Sequence, residues 1–183
     1  MSVLDSIIKK AKKKLCRIAF SEGEDVRVIE ASVRAQNDKL AQPILIGDID
    51  NIKSKIEGFG ANPTEFEIID PKGSSRLKTY AQEFTNLRKK RIISLEDALI
   101  EVQEPLNFAA MMVRTSDSDG TIGGAVETTS RTVGAALKII GKAEDSPIVS
   151  SFFLIILDKP YHPKKVTLVF SDCGLVIEPT ALQ

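Results

Sequence analysis

The chain is short of most of the residues from which reactive centres and membrane spans are built. It has one histidine, His162, in 183 residues. A histidine-based metal site is therefore excluded, and so is a Ser/His or Cys/His triad unless that one residue carries it. His162 stands in LysProTyrHisProLysLys (159–165), a turn by composition, and reads as a loop residue. There are two cysteines, Cys16 and Cys173, far apart and without CxxC spacing. They read as reduced, buried thiols of a cytosolic protein, neither a disulfide pair nor a metal site. No apolar run reaches the length of a membrane span, and the longest, around Phe152 to Leu157, is strand-sized. No excess of one charge exists either: 25 basic residues balance 25 acidic ones, with a pI near 6.6. That balance argues against a dedicated nucleic-acid or membrane footprint, which needs a basic face to neutralise phosphates. The only local excess, Lys9 to Lys14, reads as the solvated side of a first helix and not as a signal peptide.

What is present is 43% hydrophobic and 27% charged, enough to bury a core without disulfides or metals. Strand and helix patterns alternate, which predicts an α/β fold with a largely parallel sheet. Leu4, Ile7, Ile8, Ala11 and Leu15 recur at helical spacing and predict a helix over 3–15. Cys16 to Phe20 reads as a strand, then 21–25 as a turn capping a helix that faces Val26, Ile29, Val33 and Ala35 inward. Further strands are expected at 43–47 and 66–69, with a short helix at 48–56 between them. Three helices fit 74–114, one of them with Ser94 as N-cap and Asp97 as a short-armed capping-box partner. A short strand and glycine-rich turn at 119–125 lead into a helix that runs to Ile140. The polar segment 141–147 is the expected domain boundary, dividing 1–143 from 144–183, and 148–157 with 166–170 reads as a hairpin.

Three features could carry chemistry. Gly120, Gly123 and Gly124 at a strand-to-helix junction are followed by Thr128, Thr129 and Ser130. Glycines let a ligand approach the backbone, and free amides at a helix start attract an anion, so a phosphate-type site is plausible there. A tight structural turn is about as well supported, because the spacing matches neither a Walker loop nor GxGxxG, and Thr128 or Thr129 makes a good N-cap with no ligand. Arg88, in LeuArgLysLysArg (87–91), offers a bidentate anion fork or simply a cation at a helix C-terminus. Glu22, Glu24 and Asp25 read as an acid/base pair or as first-turn carboxylates of the following helix.

Seven segments taken in order carry a resemblance. They are 21–27 (SerGluGlyGluAspValArg), 40–47 (LeuAlaGlnProIleLeuIleGly), 87–89 (LeuArgLys), 117–125 (AspSerAspGlyThrIleGlyGlyAla), 128–129 (ThrThr), 150–154 (SerSerPhePheLeu) and 170–174 (PheSerAspCysGly). In this register the chain resembles the phosphate acetyltransferases of the phosphate acetyl/butyryltransferase family. The resemblance implies acetyl transfer between coenzyme A and inorganic phosphate, giving acetyl phosphate, with both molecules as substrates and no resident cofactor. It implies a two-domain α/β architecture similar to isocitrate and isopropylmalate dehydrogenases, an active site in the cleft, a homodimer and a cytoplasmic location. It further implies phosphate or substrate binding by Arg88, Gly124, Thr128, Thr129 and Ser130, with Arg131 a further candidate on the residues' own chemistry.

Two departures from the family pattern accompany this. Register places Gly134 where the family usually carries an anion-facing arginine, and Arg131 where an acidic residue is more usual. Arg131 lies close to one helical turn away and compensates if it points the same way. Family members also continue well beyond Gln183, into the part to which the principal coenzyme A site and the catalytic Ser/Arg/Asp group belong. The expectation is thus the N-terminal part of domain I with the opening of domain II, inactive alone. The alternative is a binding module that docks a separate C-terminal half or another partner. A dehydrogenase is disfavoured, since no dinucleotide fingerprint is present.

Overall fold

A computed structural model describes residues 2–88, 93–146 and 149–171. By contact pattern the chain divides into two units, one of residues 11–141 and one in which residues 1–10 group with 142–183.

The larger unit is built on a four-stranded parallel sheet, β1 (Cys16–Phe20), β2 (Ala41–Ile46), β3 (Glu67–Ile69) and β4 (Gly120–Ile122), in the spatial order β3-β2-β1-β4. Alternation along the strands assigns their side chains to two faces. Phe20 and Leu45 pack with α2 (Val26–Asn37) and α3 (Ile49–Gly58) through Ile29, Val33, Ile52 and Ile56. Ala19, Ile44 and Ile46 face the opposite way. They join Tyr80, Phe84, Val102, Phe108, Met111 and Ile139 of α4 (Leu77–Leu87), α5 (Leu95–Gln103), α6 (Pro105–Arg114) and α7 (Thr129–Ile139). The expected α/β fold is therefore present as three layers, helices on both faces of a parallel sheet. Pro43 sits inside β2 without cost to the ladder. It pairs with Ile18 on one side, and β3 begins pairing only at Ile44, so no donor is demanded of it there.

Caps set the helix starts. Asp25 accepts the Arg27 amide at 2.9 Å, and Asp48 accepts the Asn51 amide at 2.8 Å. Ser94 accepts the Asp97 amide at 3.0 Å, while the Asp97 carboxylate accepts the Ser94 hydroxyl at 2.7 Å. The shorter aspartate arm thus closes on the hydroxyl of the cap and not on its backbone amide.

Several sequence expectations need correction. Val26 is exposed because it follows the cap directly on the outer side of α2, and Ser32 is buried with Ile29 and Val33 instead. Ser32 is satisfied internally, donating to the Val28 carbonyl at 2.8 Å. Cys16 is a free thiol but only half-buried, at the open start of β1; Cys173 lies outside the described residues.

In the smaller unit, α1 (Val3–Ala11) stops four residues short of the expected Leu15, and residues 12–14 form a turn. Its apolar stripe is unburied, with Leu4 and Ile7 exposed, so side-chain packing does not prolong the helix. The expected hairpin is present as β5 (Phe152–Leu157) and β6 (Val166–Ser171), antiparallel, with Leu154 opposite Val169. In the connecting turn the His162 imidazole accepts the Lys159 amide at 3.1 Å, a structural use of the single histidine. No helix among the described residues is long and apolar enough to cross a membrane.

Candidate functional site

All four strands of the sheet are parallel, so the loops after their carboxyl ends gather on one edge. In open parallel sheets that edge is where ligands bind. Here it carries a cavity of about 220 Å³ lined by residues 21–25 after β1, Ile46, residues 104–106 at the start of α6, and Val126, Glu127 and Arg131 around the start of α7.

Two glycines permit this packing of loops. A Cβ on Gly23 would stand 2.7 Å from both the amide nitrogen and the carbonyl oxygen of Ile46, so the β1–α2 loop can press on β2 only without a side chain. Gly124 has φ of +103°, a backbone conformation open to glycine and rarely to other residues.

The glycine-rich turn does present converging amides, and a side chain of the protein fills them. One oxygen of the Glu22 carboxylate, Oε2, accepts the amides of Gly124 at 2.9 Å and Ala125 at 2.7 Å. The other, Oε1, accepts those of Val126 at 2.8 Å and Glu127 at 2.6 Å. Burial pushes this carboxyl up, yet the four amides outweigh burial and hold it below its ordinary value of 4.5. Arg27 adds a second tether. Its guanidinium donates to the Ala125 carbonyl at 2.8 Å while forking onto Asp25, which it holds down to about 2.

The acidic triplet is thereby resolved into separate tasks. Only Asp25 is the first-turn cap. Glu22 binds the loop of residues 124–127, and Glu24 accepts the Asp48 amide at 3.0 Å and the Asn51 side-chain amide at 2.8 Å. Asp25 is ion-paired with Arg27, and Glu22 and Glu24 are held by amide donors, so the three do not form an acid/base pair among themselves.

Of the residues expected to bind phosphate, Arg131 alone is among the described residues that line this cavity. Thr128 caps α7, accepting the Arg131 amide at 3.3 Å, and Thr129 and Ser130 are exposed on its first turn. Capping leaves the amides of Thr129 and Ser130 as donors that no intrahelical carbonyl can reach. Arg131 is the one basic side chain among the described residues lining the cavity. It is paired with Glu127 at 3.0 Å and with Glu104 at 3.8 Å. The Gly124 amide is spent on Glu22 and is no donor for a ligand. Arg88 lies at the end of α4, its guanidinium 5.8 Å from the centre of the Phe84 ring, and it does not line this cavity. Gly134 stands in open space within α7, with nothing within 4 Å of where a Cβ would be.

Sequence reasoning missed Glu104 and Glu127 as partners of Arg131, and it missed the reach of Glu22. No local signal could have found that contact, which spans more than 100 residues; the only hint was a carboxylate and a glycine-rich turn each following a strand. Among the described residues, no group of three or more His, Cys, Asp or Glu side chains is arranged to hold a metal ion.

A parallel sheet covered by helices on both faces, with a charged crevice at its carboxyl edge beside the capped start of α7, defines a three-layer α/β domain. The chain belongs to the phosphate acetyl/butaryl transferase family, whose model matches residues 2–183. It is 43% identical to the phosphate acetyltransferase of Paracoccus denitrificans over 99% of its own length and 53% of that protein. It is 34% identical to that of Clostridium acetobutylicum, again over 99% of its length and 54% of the relative. Among solved structures, a phosphotransacetylase from Streptococcus pyogenes superposes with a TM-score of 0.84 at 28% identity, over 98% of this chain and 54% of that one. The chain thus spans about half the length of the curated relatives it matches.

Proposed function

We propose that this chain supplies the phosphate-side part of an acetyl-transfer site, in which acetyl-CoA and inorganic phosphate yield acetyl phosphate and coenzyme A. The observation that carries the reading is Arg131, the one basic side chain among the described residues lining the cavity at the strand carboxyl edge, in the first turn of α7 beside the exposed Thr129 and Ser130. A phosphate oxygen attacks the thioester carbonyl, the tetrahedral intermediate collapses, and the C–S bond breaks with the electron pair leaving on sulfur. Arg131 would hold the phosphate by a bidentate fork, with Thr129 and Ser130 adding donors. Acetyl-CoA and phosphate enter as substrates, and no resident cofactor takes part.

The charge around Arg131 sets a cost on this. Phosphate must take the guanidinium over from Glu127 and Glu104, in a cavity that also carries Glu22, Glu24 and Asp25. Phosphate binding by these residues alone is accordingly weak. Arg88 is left out of this reading because it lies away from the cavity. The thiol-activating and coenzyme A-binding groups are assigned to the part of the family's length that these 183 residues do not span, so this chain alone is expected to form no acetyl phosphate.

The test is acetyl phosphate formation from acetyl-CoA and phosphate by the 183-residue chain, alone and mixed with the remaining half of a family member. No turnover alone, and turnover on mixing that Arg131→Ala abolishes, supports the proposal. Turnover indifferent to Arg131 overturns it. A second reading, a module that docks a complementary fragment without chemistry, draws on the β5–β6 hairpin, where Phe152, Phe153 and Val169 are each more than 60% exposed. Complex formation without turnover in the same mixture favours that reading.

A further inference from the structure

The four amides of residues 124–127 form a concave set of donors of the kind that binds anions, and the molecule has filled it from within. Each Glu22 oxygen takes two consecutive amides, all at 2.6–2.9 Å. Glu22 is itself anchored to the sheet: the next residue, Gly23, donates its amide to Ile46 at 3.1 Å, and the Glu22 carbonyl accepts the Asp25 amide at 3.0 Å. The last amide held, that of Glu127, directly precedes the cap Thr128, whose hydroxyl oxygen accepts the Arg131 amide. An unbroken series of contacts thus runs from β2 through Glu22 to the residue that points into the cavity.

We propose that Glu22 is a positioning residue of this site: as the resident anion of the 124–127 loop, it fixes the approach to α7 and so aims Arg131 into the cavity, and it keeps phosphate off those four amides. The statement about Arg131 rests on the proposed phosphate site, whereas the statement about the loop does not, and the two fail separately. Without the carboxylate, four donors lose their acceptor in a segment that follows Gly123 and starts at Gly124, glycines whose backbones are more permissive than those of other residues. The guanidinium of Arg27 holds only the Ala125 carbonyl and supplies no acceptor for the amides.

The experiment compares the isotope-labelled 183-residue chain with Glu22→Ala and Glu22→Gln, titrating each with formate and with inorganic phosphate against a chloride control. In the native chain, phosphate is expected to shift the amides of Thr129, Ser130 and Arg131 and to leave residues 124–127 in place. In Glu22→Ala, formate is expected to raise Tm saturably and to shift the amides of 124–127. The affinity for phosphate at Arg131 should fall about tenfold in that variant and recover with formate. Saturable phosphate shifts at 124–127 in the native chain overturn the statement about the loop, as does a Glu22→Ala chain on which formate has no effect. An unchanged phosphate affinity in Glu22→Ala overturns the statement about Arg131, as does a native chain in which phosphate moves nothing at 128–131. Should Glu22→Ala not fold, amide exchange in the native chain and in Glu22→Gln decides: protection of the four amides in the first and its loss in the second are expected, and equal exchange in both overturns the proposal.

Discussion

Glu22 and Gly124 are 102 residues apart in sequence and joined by a 2.9 Å hydrogen bond, in which the Gly124 amide donates to the Glu22 carboxylate. With three further amides on the same carboxylate, this contact ties the end of β1 to the entry of α7. Its energetic signature is acid sensitivity. The folded state holds the Glu22 carboxyl below its ordinary value of 4.5, so it binds fewer protons at this group than the unfolded chain does. The resulting stabilisation is complete above pH 4.5 and is lost as the pH falls through the depressed folded value. Denaturant titrations across this range are expected to show a steeper acid loss for the native chain than for Glu22→Gln. At pH 7, Glu22→Ala should cost about 2–3 kcal/mol, the scale of hydrogen bonds to a charged group.

Gly134 predicts a gain. It lies inside α7 with open space around its missing Cβ, and glycine costs about 1 kcal/mol against alanine in a helix interior. Gly134→Ala should therefore stabilise the chain by about 1 kcal/mol, read as a higher urea midpoint with an unchanged m-value. A loss of stability would mean that the position is not an ordinary, open helical site.

Gly23 predicts the opposite. A methyl there meets the Ile46 backbone at 2.7 Å, where neither atom belongs to a flexible side chain. Gly23→Ala is expected to destabilise by about 1–3 kcal/mol, as overpacking does, and to weaken the amide protection of Gly23, whose N–H bonds to the Ile46 carbonyl.

Asp117 holds the turn after α6 against α4. Its carboxylate accepts the Tyr80 hydroxyl, Arg76 at 2.5 Å and the Thr115 hydroxyl at 2.8 Å. Burial raises this carboxyl, and the donors, Tyr80 first and then Arg76, more than offset it. Tyr80→Phe should cost about 1.5–3 kcal/mol, the scale of one hydrogen bond to a charged group, with the aromatic packing on Phe108 retained; thermal unfolding checks it.

Much of this architecture was legible locally. Periodicity and turn chemistry place the parallel strands, the three helices between Leu77 and Arg114, the cap at Ser94, the capping turn at 21–25 and a cap at Thr128 or Thr129, because each depends on neighbours within a few residues. The start of α7 was readable as a capped helix entry for the same reason. What was not legible depends on residues brought together by the fold. Nothing near Glu22 in sequence says that its acceptors' partners lie at 124–127, and nothing near Arg131 points to Glu104 across the cavity. The helix expected to reach Leu15 ends at Ala11 because a periodic stripe predicts a face, while its length depends on what packs there. Arg88 is the instructive separation: its residue type suits an anion, yet its position at the end of α4 sets it against Phe84.

The proposed holding of phosphate at the start of α7 by Arg131 is read out by a phosphate titration of the labelled chain and of Arg131→Ala. Saturable shifts are expected, confined to the first turn of α7 and the Arg131 side chain and weakened at least about tenfold by the substitution. Shifts that survive Arg131→Ala unchanged, or that arise at Arg88 with α7 silent, contradict it.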